Sequence, residues 1–138
     1  MTAPFTLDPR LASDTVPVCD LPLCRVLLMN DARFPWLILV PARPDLYEIT
    51  DLAPNDRLIL WDEVTRASNC LRDAFAPTKI NIGALGNIVR QLHVHVVARF
   101  DGDAAWPGPV WGAGMAEPYD DGTLDTIRQR MVTVLGAD

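Results

Sequence analysis

Lysine is almost missing from this 138-residue chain: Lys79 stands alone against eleven arginines. Histidine is nearly as scarce, with only His93 and His95. No apolar run reaches the ~18 residues that a helical membrane span needs, so no membrane partner is expected. Met1 to Arg10 lacks a basic segment followed by an apolar one and carries Asp8 and Pro9, so no secretory signal is expected there. Cysteine is low and odd in number, and Cys19, Cys24 and Cys70 form no tight pair. That argues against a disulfide framework and for a reducing, cytoplasmic setting. Positive charge is in deficit: the net charge of −6 argues against binding a nucleic-acid polymer. It leaves room for one nucleotide in a locally shaped pocket. No internal repeat or low-complexity segment occurs, and arginine in place of lysine beside abundant Ala and Pro fits a GC-rich bacterial coding sequence.

What the chain does have is material for a core, with 49% hydrophobic and 22% charged residues. Its length suits one domain, residues 1–138, with a core at 23–100 and a C-terminal loop and helix at 101–138. Asp8 to Asp14 can form a short helical turn. Leu23 to Met29 and Phe34 to Val40 are apolar runs separated by the turn-prone Asn30-Asp31-Ala32-Arg33, which predicts a β-hairpin. The second run does not alternate, so both its faces should be covered.

The strongest helix signal follows. Pro54 suits the first helical position, Asp56 complements the helix dipole, and Leu60, Val64, Ala67, Leu71 and Phe75 form one apolar stripe that Pro77 terminates. Lys79 to Leu85 and Gln91 to Arg99 read as strands joined at Gly86-Asn87, a tight-turn signal. Asp101 to Gly122 is irregular, with three prolines and five glycines. Leu124, Ile127, Met131 and Leu135 then mark a short amphipathic helix. The sum is an α+β fold: an antiparallel sheet of about five strands with a long helix and shorter terminal helices packed on it.

Chemistry concentrates in Gln91 to Arg99. On a strand, Leu92, Val94 and Val96 point into the core, while Gln91, His93 and His95 form a polar row on the other face. Imidazoles ~6–7 Å apart along a strand can touch different oxygens of one phosphate or pyrophosphate. Near its ordinary pKa an imidazole can be a neutral nucleophile or a charged donor.

These residues resemble the histidine triad family, whose motif is His-φ-His-φ-His-φ-φ with φ apolar. Leu92, His93, Val94, His95, Val96 and Val97 fit it, and Gln91 replaces the first His. Asn30, opening the hairpin that ends in Val40-Pro41, resembles the family's ribose-contacting Asn. Gly86-Asn87-Ile88-Val89 stands where the family has a Gly-Gln-Ser/Thr-Val phosphate loop, so Ile88 lacks the expected hydroxyl. The resemblance covers about Leu23 to Phe100. It implies a nucleotidyl hydrolase or transferase without cofactor or metal. Its ligand would be a purine nucleotide, a dinucleoside polyphosphate or a nucleoside phosphoramidate. His93 would attack the α-phosphorus and His95 would hydrogen-bond the phosphate, with Gln91 as a third catalytic group. Asn30, Gly86 and Asn87 would bind substrate. It also implies a homodimer joined through Pro54 to Phe75 and Lys79 to Leu85.

Other readings stay open. The two His could be surface residues, or could bind a metal if a third ligand came from Asp, Glu or Cys. Gln91 and Ile88 would also suit a nucleotide sensor without turnover. Asn30 and Gly86-Asn87 are good turn residues in their own right. Gly83 marks a close approach or a bulge. Trp106 and Trp111, flanking Pro107-Gly108-Pro109-Val110, could line a pocket or staple the loop to the core.

Overall fold

A computed structural model describes residues 4–136. The order is α1 (Pro9–Asp14), β1 (Thr15–Asp20), β2 (Cys24–Met29), β3 (Trp36–Pro41), α2 (Pro54–Phe75), β4 (Lys79–Gly83), β5 (Val94–Arg99) and α3 (Asp121–Gly136), with a 3-10 turn at Ile49–Asp51. The strands form one antiparallel sheet in the order β1-β2-β3-β5-β4. The expected α+β architecture with an antiparallel sheet of five strands is therefore present.

Helix α2 spans the expected residues. Pro54 sits at its start, and Ala76 ends it in a left-handed conformation (φ 48°) immediately before Pro77. Its stripe of Leu60, Val64, Ala67 and Leu71 is buried with Cys70 and Ala74 against one face of the sheet, where Val26, Leu28, Leu37, Leu39, Val94 and Val96 point. α3 adds Met131 and Leu135 to the same core. A second apolar cluster covers the other face: Leu27, Trp36, Ile38 and Val97 of the sheet meet Leu11 of α1, Phe34 and Val110. Every residue of β3 is consequently buried, as its unbroken apolar run requires.

Two expectations need correction. β1 was not evident in the sequence because Pro17 interrupts it. It is one of the two edge strands and carries an irregularity between Pro17 and Cys19, the setting in which a strand tolerates proline. β4 and β5 do pair, but not across a tight Gly86-Asn87 turn. β4 stops at Gly83 and β5 begins at Val94, so residues 84–93, including Gln91 and His93, form a loop. Gly86 provides the positive φ of 72° within it.

Candidate active site

His95 lies on β5, opposite Ile38 of β3 and Gly83 of β4. Its ring is on the face away from α2, and His93, just before the strand, follows the same alternation. Leu92, Val94 and Val96 are in the core. The two imidazole centroids are 4.9 Å apart and steeply inclined. Both rings line a cleft of about 420 Å³, within the range of ligand sites, about 300–1,000 Å³. Gly86, Asn87, Ile88 and Val89 form one wall, Trp36 and Ile38 the floor, and Trp111 and Gly112 another wall. His93, Leu85 and Gly86 also border a smaller cavity of about 180 Å³ lined by Tyr47, Glu48, Ile49 and Thr50.

The histidines differ in how they are held. Nδ1 of His93 lies 2.7 Å from the carbonyl oxygen of Gln91. A carbonyl only accepts, so Nδ1 carries the proton and Nε2 keeps its lone pair when the ring is neutral. At His95 the polarity is reversed: the indole Nε1–H of Trp36 donates to Nδ1 at 3.0 Å. His95 is also enclosed by aromatic rings, with Trp36 at 5.6 Å and Trp111 at 5.4 Å between centroids.

Burial, then the nearby His93, pushes the pKa of His95 down from the ordinary imidazole value to about 3. The unfolded chain takes up that proton near pH ~6.5. Between these values the unfolded state binds more protons, so stability is complete above about pH 6.5 and declines as pH falls toward 3. Going from pH 7 to pH 5 should cost the fold about 2 kcal/mol through this residue. Urea unfolding at the two pH values measures it. His95→Gln should abolish that difference, and an undiminished difference in the variant would assign the acid sensitivity to another group.

The structure brings His93, His95, Gly86 and Asn87 together around the cleft. The Gln91 side chain does not line the same cleft. Its Oε1 accepts from the Asp8 amide and its Nε2 donates to the Thr6 carbonyl, both at 2.8 Å, which ties the N-terminal segment down. What Gln91 gives the histidine pair is its backbone carbonyl. Asn30 is also outside the cleft lining: its Oδ1 accepts from the Tyr119 amide at 2.9 Å. Its neighbours Asp31 and Arg33 are at the wall instead, joined by an ion pair of 2.9 Å. Burial pushes the Asp31 carboxyl up, but hydrogen bonds from the Arg33 side chain and backbone outweigh it and leave the pKa below the ordinary value. Among the described residues, no group of three or more His, Cys, Asp or Glu is placed to hold a metal ion.

The two loop tryptophans part company. Trp111 lines the cleft beside His95 and packs so closely on Gly83 that a Cβ there would lie 2.9 Å from the indole. The close-approach reading of Gly83 thus finds its cause. Trp106 lies under the Arg99 guanidinium, 5.6 Å away, and fastens the loop. Trp36 belongs to the unbroken apolar run of β3, and nothing in such a run marks one member as a partner of His95.

Fold and site together describe a small α+β protein that presents one imidazole lone pair and one imidazole N–H to a ligand-sized cleft. The HIT domain family matches residues 10–102. The chain is also similar to three solved bacterial structures. A histidine triad (HIT) protein from Sinorhizobium meliloti is 53% identical, covering 94% of this chain and 96% of that one, with a TM-score of 0.91. A histidine triad protein from Bradyrhizobium japonicum is 43% identical, covering 96% and 99%, with a TM-score of 0.93. One from Marinobacter aquaeolei is 39% identical, covering 98% of both chains, with a TM-score of 0.94. The search of curated proteins finds no match. The chain belongs to the histidine triad family, whose members bind nucleotides and generally act on them as hydrolases or transferases.

Proposed function

We propose that this protein is a nucleotidyl hydrolase or transferase that works at the α-phosphate of a nucleotide through a covalent intermediate on His93. The observation that carries the reading is the opposite polarity of the two rings: His93 offers the lone pair of Nε2, and His95 offers a proton beside it. In the first step Nε2 of His93 forms a bond to the α-phosphorus. The bond to the leaving group breaks, and that group departs with its electron pair. In the second step water attacks phosphorus, the N–P bond breaks, its electrons return to Nε2, and a nucleoside monophosphate leaves while the water proton passes to solvent. His95 donates to a non-bridging oxygen as charge develops. His93 borders both cavities, so a phosphorus at its Nε2 would sit where they meet, with the larger cleft of a size to take a nucleoside. Gly86 and Asn87 serve the phosphate side. Asn30, outside the lining of the larger cleft, serves the site indirectly, its carbonyl oxygen holding the Tyr119 amide. Gln91 acts through its carbonyl. Three free cysteines fit a reducing cytoplasm.

The substrate class is either a dinucleoside polyphosphate or a nucleoside phosphoramidate. A panel of adenosine and guanosine compounds of both kinds, scored for monophosphate release, tests the reading. Tight nucleotide binding without release from any of them would point to a sensor, the reading that Ile88, exposed at the cleft without a hydroxyl, favours.

We also propose a homodimer through α2 and β4. β4 is an edge strand, and Trp61 and Ile82 stand about half exposed on the groove between it and α2. Light scattering at micromolar concentration should give twice the chain mass. Trp61→Ala should weaken the pair ~30-fold, the loss typical of an aromatic anchor. A monomeric wild type would refute the assignment.

A further inference from the structure

We propose that Trp36 is a positioning residue for His95: by donating its indole N–H to Nδ1, it confines the ring proton to Nε2 and keeps that N–H turned out as a fixed donor. An indole nitrogen donates only, so the arrangement admits a single neutral tautomer. The hydrogen bond is 3.0 Å long and wholly buried, with Trp36 5% exposed and His95 8% exposed. Trp36 itself is clamped by Phe34 and Trp111, at 6.4 and 6.5 Å between centroids. It stands on β3, which is buried along its whole length. The donor is therefore held by the core of the fold, whereas Gly86 and Asn87 belong to a loop.

The consequence is a division of labour. His93 can serve only through the lone pair of its Nε2, and burial keeps His95 a neutral donor across the neutral and mildly acidic range. Protonating Nδ1 of His95 would require breaking the indole bond, in surroundings whose near neighbours Trp36, Trp111 and Ile38 carry no counter-charge. Of the charged and titratable groups on the cleft, His93 disfavours a second positive ring, and Asp14 and the Asp31–Arg33 pair sum to one negative charge.

This inference rests on the reading that His95 serves the ligand phosphate, but its test does not need turnover. With ¹⁵N-labelled wild-type protein, a two-bond ¹⁵N–¹⁵N coupling should appear across the hydrogen bond between Nε1 of Trp36 and Nδ1 of His95, with the His95 proton on Nε2 at pH 7. Trp36→Phe should lose the coupling, mix the two tautomers and raise the pH at which His95 becomes imidazolium. Where the wild type turns over substrate, the variant should lose ~10-fold or more in kcat, with KM within ~3-fold, because a misplaced proton harms the transition state more than binding. If Trp36→Phe does not fold, the wild-type coupling decides alone. A His95 proton on Nδ1, or absence of the coupling, overturns the proposal. An inactive wild type that shows the coupling overturns the proposed function and leaves the role of Trp36 standing.

Discussion

Replacing His93 by alanine should abolish turnover, a loss of ~10⁴-fold or more, because in the proposed mechanism the residue forms the bond to phosphorus and no neighbour can take over. His95 cannot substitute: its Nδ1 is occupied by the Trp36 indole and its Nε2 bears the proton. The fold should survive at a cost of about 1–2 kcal/mol. A sequence reading would place His93 on an exposed strand face, where substitution is nearly free. In the structure the side chain is 6% exposed and its Nδ1 is bonded, so the change is not neutral. Nucleotide affinity should hold within ~10-fold, since the cleft walls remain. Steady-state kinetics and calorimetric binding on the same variant check both halves. Full activity in His93→Ala would rule the mechanism out.

The largest effect on stability should come from Asp103→Ala. The Arg99 guanidinium at the end of β5 is 1% exposed, and its Nε and Nη2 both donate to Asp103 at 2.9 Å. The Arg99 side chain holds the Asp103 carboxyl far below the ordinary carboxylate range, although burial opposes the shift. The same carboxylate accepts from the amides of Phe100, Ala105 and Trp106, and so folds the loop that carries Trp111 to the cleft. Removing it leaves a buried cation without its counter-charge, held only by Asn81 and the rings of Phe34 and Trp106, and strips the Phe100 and Ala105 amides of this acceptor, while Trp106 keeps the Asp103 backbone carbonyl. The expected loss is ~3–5 kcal/mol, seen as a fall of roughly 10–20 °C in Tm. Adding Arg99→Met should recover part of that loss by removing the stranded charge. A Tm change of only a few degrees in Asp103→Ala would show that the ion pair does not hold the loop.

Local patterns in the sequence carried much of the fold. α2 was legible at both ends because proline marks its start and its stop, and the stripe between them has one period. The β2–β3 hairpin was legible because a polar turn parts two apolar runs. β1 was not, since proline within six residues argues against a strand unless the strand is already known to be an edge. The candidate site shows the same division. Alternation alone placed Leu92, Val94 and Val96 in the core and His93 with His95 on the other face. It also put Gln91 in that row, but hydrogen bonds to Thr6 and Asp8, more than eighty residues away in sequence, claim the amide. Asn30 is likewise claimed by Tyr119. Trp36 reaches His95 across 59 positions. Such partners depend on how distant segments meet, and no local period encodes them.

The central claim is a covalent bond between Nε2 of His93 and the α-phosphorus. The measurement that tests it most directly is rapid quenching of the protein with a slow substrate, followed by peptide mass spectrometry. The mechanism predicts a nucleoside monophosphate joined to the peptide carrying His93, stable in base, labile in acid and missing from His93→Ala. Turnover of the same substrate with no adduct on His93, or with an adduct that persists in His93→Ala, would contradict it.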